Sequence, residues 1–121
     1  MKTLILKKYG KGHPMSFKLA RYAENGNLYV GLITHEDGYP EPWQNLTVNL
    51  SVKCEENYAF IDTNNNGHEI LYWLLENCLG ILTGREMRSG FCVYPEFLFF
   101  PNRLLEYTSE GKDILQKEMI K

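Results

Sequence analysis

The chain has 121 residues, a formal net charge of −2, 44% hydrophobic residues and 23% charged ones; that is room for one domain with the make-up of an ordinary globular core. No apolar run approaches the roughly 20 residues that span a bilayer, and Leu4 to Leu6 falls short of the about 7–15 residues of a signal-peptide core, so a soluble cytoplasmic protein is expected. Three cysteines, Cys54, Cys78 and Cys92, are odd in number and widely spaced, which argues against a disulfide framework and for a reducing compartment.

In chain order, Leu4 to Lys8 reads as a short strand and KYGKGHP as a loop, because Gly10, Gly12 and Pro14 interrupt any period. MSFKLARYA alternates, with Met15, Phe17 and Leu19 on one face, the mark of a half-buried strand. Asn25-Gly26 is a hairpin signal. LYVGLIT returns as its partner, with Leu28, Val30 and Leu32 facing one way. THEDGYPEPWQ reads as a polar, proline-rich connection. NLTVNLS then alternates, with Leu46, Val48 and Leu50 inward and Thr47, Asn49 and Ser51 outward, and YAFIDT is a further strand.

Ile70, Leu71, Trp73, Leu74, Leu75 and Cys78 predict one amphipathic helix from about Gly67 to Cys78, with Gly80 as its left-handed C-cap. TGREMRSG reads as a mobile loop. FCVYPEFLFF is β-prone, with Pro95 confining it to an edge or a bend. Phe97 and Phe99 are expected to close the core. Leu104 to Tyr107 could form a last strand, and SEGKDILQKEMIK a short terminal helix. The expectation is a single α+β domain over residues 1–121: an antiparallel sheet of about five to six strands packed against one main α-helix, with a possible short C-terminal helix.

Charge is segregated along the chain. Residues 1–22 carry Lys2, Lys7, Lys8, Lys11, Lys18 and Arg21 and no acid, a block of +6; residues 23–80 carry nine acids against Lys53, a block of −8. Such asymmetry either steers a charged partner or dissolves when the basic strand lies beside acidic neighbours. A pI near 5.9 argues against a dedicated DNA binder.

Asp62, Asn64, Asn66 and Gly67 spell the front half of a calcium loop, D-x-N-x-N-G. Its last ligand position holds Trp73 in place of a bidentate glutamate, and Asp62 alone supplies formal charge. The run is better read as a strand-to-helix turn, in which Asn65 or Asn66 caps the helix. Cys54, Cys78, Cys92, His13, His35 and His68 show no zinc spacing. Cys78 and Cys92 fall in apolar segments, where free cysteine behaves as a small hydrophobe. Cys92 has no sequence-linked base, and no phosphate loop or catalytic motif is present. Neither a catalytic residue, a metal ligand nor a cofactor is assigned. Surface aromatics, by contrast, are the usual anchors of protein interfaces. Tyr39 and Trp43, framed by Pro40 and Pro42, are the first candidates, together with the acidic Glu36, Asp37, Glu41, Glu55 and Glu56.

LTVNL (46–50), AFIDTNN (59–65), LENCLG (75–80), TG (83–84) and SGFCVYP (89–95) occur in that order. Together they resemble an uncharacterised bacterial family of small proteins, a domain-of-unknown-function family of the 4313 type, over roughly residues 15–107. The resemblance implies carriage on conjugative plasmids, integrative elements and phages, no assigned activity and no catalytic residues, and it marks AFIDTNN and SGFCVYP as fold signatures. The basic N-terminus and the C-terminal SEGKDILQKEMIK depart from the family pattern. The expected function is a non-enzymatic protein-binding module, most specifically an anti-CRISPR-type inhibitor whose acidic middle competes for the phosphate-binding surface of a Cas effector or other host protein. Alternatives are an accessory protein of conjugation that self-associates along the FCVYPEFLFF edge, and a zinc-stabilised module. Either a monomer or a dimer fits these readings.

Overall fold

The computed structural model describes residues 2–115. Among the described residues nine strands form two sheets, with three short α-helices in the connections. The expected sheet on one main helix is therefore wrong: the largest partner of the first sheet is a second sheet. Sheet A takes the order β1(Leu4–Lys8), β2(Lys11–Arg21), β3(Leu28–Thr34), β4(Glu41–Asn45). These pairs are antiparallel, and the late strand β9(Thr108–Glu110) joins β2 in parallel beyond the end of β1. Sheet B takes the order β5(Thr47–Val48), β6(Tyr58–Ile61), β8(Cys92–Phe99), β7(Gly80–Ser89), antiparallel throughout.

The chain passes between the sheets at Leu46. Its amide donates to Val30 of β3 at 2.9 Å and its carbonyl accepts from Asp62 beyond β6 at 2.9 Å. Leu46 is wholly buried, and Thr47 beside it is buried too, because its hydroxyl accepts from the Val30 amide at 3.1 Å. The alternation expected for NLTVNLS thus holds only in part. Leu46 enters the main core, while Val48 and Leu50 pack on the opposite face of sheet B, with Cys54, Phe60 and Tyr94. The main core draws Met15, Phe17, Leu19, Leu28, Val30 and Leu32 from sheet A and Ala59, Ile61, Phe97 and Phe99 from sheet B. Burial of each large side chain stabilises by about 1.5–3 kcal/mol.

The helices are smaller than the pattern suggested. DTNNNG forms its own turn, α1(Thr63–Asn66), and α2(Glu69–Glu76) follows it. The cap is Asp62, not Asn65 or Asn66: its carboxylate accepts from the Asn65 amide at 3.0 Å and from the Asn65 side chain at 2.8 Å. Asn66 instead ties the turn to β4, donating to the Asn45 carbonyl at 2.9 Å. Ile70, Trp73 and Leu74 of α2 close one end of the core, and the Trp73 indole donates to the Ile5 carbonyl at 2.8 Å. The left-handed residue after α2 is Cys78, at φ 57°, not Gly80. Cys78 N bonds Leu75 O and Leu79 N bonds Leu74 O, a Schellman pattern closed by the buried Leu74 and Leu79. Gly80 serves another need: a Cβ there would stand 2.0 Å from the Leu98 carbonyl oxygen on β8.

Three segments read as loops contain strands, and so does the start of the expected terminal helix. KYGKGHP turns at Tyr9 and Gly10, both at positive φ, and is already β2 by Lys11. EPWQN is β4, TGREMRS lies inside β7, and TSE is β9. They lack clean alternation because β4 and β7 are edge strands, with little buried surface to demand it. Leu104 to Glu106 belong instead to α3(Pro101–Glu106), with Pro101 in its first turn and Tyr107 as its C-cap. Of the expected C-terminal helix, Ser109 and Glu110 lie in β9, residues 113–115 are helical, and residues 116–121 lie outside the described residues. Among those residues no helix is long and apolar enough to cross a membrane.

FCVYPEFLFF is an edge only in its first half. From Glu96 onward β8 lies between β6 and β7, whereas Cys92 to Pro95 pair with β7 alone, so Pro95 sits where no β6 strand calls on its missing amide, as expected of an edge position. Opposite Glu96 the β7 strand bulges through Thr83, Gly84 and Arg85. The buried Glu96 carboxylate holds that bulge: the Thr83 hydroxyl donates to it at 2.9 Å and the Arg85 guanidinium stands 3.5 Å away.

Candidate functional site

The outer face of sheet A carries a groove of about 280 Å³. Its floor follows from a sequence feature. In LYVGLIT the inward residues are Leu28, Val30 and Leu32, so Tyr29, Gly31 and Ile33 face outward. A Cβ on Gly31 would meet the Tyr29 hydroxyl at 2.4 Å; the glycine lets the Tyr29 ring lie across the strand. Tyr29 O–H donates to Asn45 Oδ1 at 2.7 Å, which fixes the ring against β4. Pro40, Pro42, Trp43 and Gln44 form one wall, and Lys18 and Glu110, 3.8 Å apart, stand at the other. β4 is the outermost strand of its sheet, so its far edge has no strand partner among the described residues, although the Asn45 amide and carbonyl are already held by Gln44 Oε1 at 3.1 Å and by Asn66 Nδ2 at 2.9 Å.

Trp43 belongs to two sites. The pairing of β3 with β4 slips between Leu32 and Ile33, opposite Trp43, and this half-buried indole lies 4.7 Å from the His13 ring, centroid to centroid. Trp43 also lines a basin of about 250 Å³ with Lys8, Tyr9, Asn65, Asn66 and Glu69. The Lys8 ammonium crosses that basin to donate to Asn66 O at 3.1 Å and to Glu69 Oε1 at 3.2 Å. The loop that imitated a calcium site is thus one wall of a polar basin whose cation is Lys8.

The expected partner-binding residues divide into two groups. Glu36, Asp37, Tyr39, Glu41 and Trp43 share the β3–β4 connection. There Asp37 adopts φ 57°, Tyr39 is 73% exposed, and Glu41 opens β4. Glu55 and Glu56 sit at the opposite end, beyond the start of β3, roughly 20 Å away along a seven-residue strand. Glu56 faces Arg21 at 3.2 Å. The acidic block therefore does not converge on one surface.

Much of it is also occupied by the basic block. Lys8 meets Glu69, Lys11 meets Glu36, and Arg21 meets Glu56; Lys18 and Lys2 meet the later acids Glu110 and Glu106. The +6 and −8 segments thus lie side by side in the fold. Glu36 is also bound by His13 Nδ1. That hydrogen bond holds the Glu36 carboxyl below its usual range, with Lys11 acting in the same direction. His13 Nε2 faces the Lys8 carbonyl at 3.3 Å.

Chemistry-bearing groups outside the groove are closed or dispersed. Ser16 Oγ lies 2.6 Å from His35 Nε2 and 2.7 Å from Ser109 Oγ, yet Ser16 has no solvent exposure, so this hydroxyl cannot meet a substrate as the chain stands. Cys54 is buried, and desolvation pushes its thiol up. Cys78 is exposed, against the expectation that it packs on an apolar helix face, and Cys92 is half-buried. Among the described residues no group of three or more His, Cys, Asp or Glu could hold a metal ion.

Tyr29, Gly31, Ile33, Lys18 and Glu110 were not read from the sequence as site residues. One signal was present: a glycine inside an otherwise perfect strand, which marks close approach. The parallel return of β9 that delivers Glu110 has no local signature.

The five motifs map onto one region of this structure. LTVNL contains β5, AFIDTNN is β6 with its Asp62 cap, LENCLG is the end of α2 with its turn, TG is the β7 bulge, and SGFCVYP is the β7–β8 turn running to Pro95. The family described as Domain of unknown function (DUF4313) matches residues 16–119. The chain belongs to this family. The match starts inside β2 and so takes in sheet B and most of sheet A, while β1 lies outside it; it runs on to residue 119, so the C-terminal SEGKDILQKEMIK, expected to depart from the family, falls almost wholly within it. Comparison with curated proteins and with solved structures gives no match. For this DUF4313 chain, the functional argument rests on its own geometry.

Proposed function

We propose that this protein is a non-enzymatic binding module that engages a partner protein through the β3–β4 side of sheet A. The observation that carries the reading is the groove over Gly31. It offers an aromatic and proline-lined wall, a Tyr29 fixed in place, and the open edge of β4 beside it. An extended segment laid along such an edge gains main-chain hydrogen bonds, while alternate side chains enter the groove. Tyr39, exposed at the mouth, is a large anchor of low conformational cost. Glu41 borders the same connection and would favour a partner with basic residues near its apolar segment.

The narrower form of this proposal is an inhibitor of a host defence protein, of anti-CRISPR type, carried by a mobile element or phage and acting in the cytoplasm. Its support is the genetic setting that the family resemblance implies. The acidic block adds less than its sequence suggested, since Glu36, Glu56 and Glu69 already face lysine or arginine. Inhibition would then come through the groove rather than by imitation of phosphate.

The test is capture of binding proteins from a host lysate, and direct binding to purified Cas effectors, with the wild-type chain and with Tyr39→Ala combined with Glu41→Lys. A partner held by the wild type and lost with the double variant supports the reading. No saturable partner, or one held equally by both proteins, overturns it.

A further inference from the structure

We infer that two copies of this chain associate through the outer edge of β7, two-fold symmetrically, in one register. β7 ends sheet B, and nearly all of it is exposed, so its outer backbone groups have no strand partner among the described residues. The apolar side chains left uncovered in this part of the molecule gather there: Ile81 at 48% exposure, Leu82 at 40%, Val93 at 38%, and Phe91 fully exposed at the hairpin tip. This surface lies on the other sheet from the groove, and the inference does not depend on the groove reading.

The occupant is a second copy because the edge is complementary to itself. Its free stretch reads Glu86, Met87, Arg88. Neither charge has a counter-ion among the described residues, unlike Arg85, which serves Glu96. Laid antiparallel with Met87 opposite its own copy, the stretch sets Glu86 against Arg88 of the other chain, and does so twice. Sliding by one residue in each chain, either way, stacks Glu86 on Glu86 or Arg88 on Arg88. Like charges directly opposed across strands are destabilising, and opposite charges stabilise. Charge therefore selects one register.

The two faces agree with it. Glu86 pairs with Pro95 and Arg88 with Val93, so both project to one side; Met87 pairs with Tyr94 and projects to the other. On that other side Met87 packs, half-buried, against the small cluster of Cys54, Phe60 and Tyr94. Two such methionines meeting at the axis join two incompletely covered clusters into one. The same register sets Gly84, in the bulge, against Gly90, in the turn, of the other copy. Strand pairing thus stops where both chains bend away, and the Phe91 tip of each copy rests on the bulge of the other beside Leu82. A bulge on an edge usually discourages pairing. Here it confines pairing to about five residues a side, so growth into open-ended sheets is blocked.

Light scattering on a sizing column, from about 1 µM to 1 mM chain, tests this. The wild type is expected to shift from monomer to dimer within that range. Glu86→Arg and Arg88→Glu each create two like-charge pairs and weaken the dimer at least about tenfold. The double variant Glu86→Arg with Arg88→Glu restores it, because the pairs are exchanged rather than lost. Phe91→Ser also weakens it, and far-UV circular dichroism confirms that each variant keeps its sheets. A wild type that stays monomeric throughout, a dimer indifferent to the single reversals, or a double variant no better than its parents overturns the inference.

Discussion

Gly80→Ala is expected to destabilise this protein by about 3 kcal/mol, near the upper end of overpacking costs, and the reason is visible in one pair of strands. Gly80 opens β7 opposite Phe99, and a methyl group there would stand 2.0 Å from the Leu98 carbonyl oxygen, 2.5 Å from Phe97 Cε2 and 2.9 Å from Leu98 C. Ordinary contact begins near 3.4 Å, so the methyl and the oxygen must part by about 1.4 Å. Two of the three obstructing atoms are backbone, and Phe97 is fully buried, so no rotamer change relieves the clash. β7 must lift from β8 at its first residue, which weakens local ladder bonds worth about 1 kcal/mol each. It also loosens the Leu79 turn behind it. Gly84→Ala is the control on the same strand. Nothing lies within 4 Å of its would-be methyl group, but its φ is 90°, so the cost there is conformational, about 1–2 kcal/mol. Urea unfolding followed by tryptophan fluorescence compares the two, with slopes checked for constancy. If Gly80→Ala proves no worse than Gly84→Ala, the close approach of β7 to β8 is not what that glycine provides.

Asp62→Ala should cost about 1 kcal/mol through loss of the α1 cap, while Asp62→Asn stays within a few tenths, since asparagine caps equally well; a larger loss with asparagine in urea titrations would mean that the charge, not the cap, matters. Glu96→Ala removes the acceptor of Thr83 and Arg85 and should lower stability by about 2 kcal/mol, less than a fully buried pair because Arg85 remains half in water; an unchanged urea midpoint would refute the clamp. Glu36 has a folded pKa below its unfolded value, so its stabilisation is present above the unfolded pKa of about 4.3 and is lost as pH falls through the folded value. Glu36→Gln should therefore flatten the acid limb of a melting-temperature profile while sparing its neutral shape, and an unaltered acid limb would refute the role. Alkylation followed by mass spectrometry should modify Cys78 first, Cys92 next and Cys54 last, following exposure and the raised Cys54 thiol; early labelling of Cys54 would contradict its burial.

Where burial forced a period, the sequence was legible. Met15, Phe17 and Leu19 against Leu28, Val30 and Leu32 could be paired from alternation alone, and both sets are buried as that pattern requires. Phe97 and Phe99 likewise fill the core. Legibility failed where a strand lies at an edge. Glu41–Asn45 and Gly80–Ser89 have few buried positions, so nothing in their composition separates them from loops. It failed again where a helix pattern was continuous but the backbone was not. Asp62 caps one short turn, Gly67 at φ 81° ends it, and the periodic residues beyond belong to a second helix of eight residues. With that helix too small to cover a sheet, a second sheet takes its place.

The same reasoning explains why the charge pattern misled. Along the chain, six cations precede nine acids, and the separation looks like a surface built for a charged partner. In the fold, β1 and β2 run beside the elements that bear those acids. Lys8 crosses to Glu69, Lys11 to Glu36 and Arg21 to Glu56, each pair joining positions 25 to 61 residues apart in sequence. Antiparallel pairing converts sequence separation into spatial contact, so a block of like charge on a strand predicts the charge of its neighbours as readily as that of a partner. What identifies a surface with unmet demand is the residue that pairing leaves over. On sheet A those residues are Tyr39 and the wall of the Gly31 groove. On sheet B they are Glu86 and Arg88, in the segment whose polarity had made it look like a loop, and Phe91 at the turn just after it.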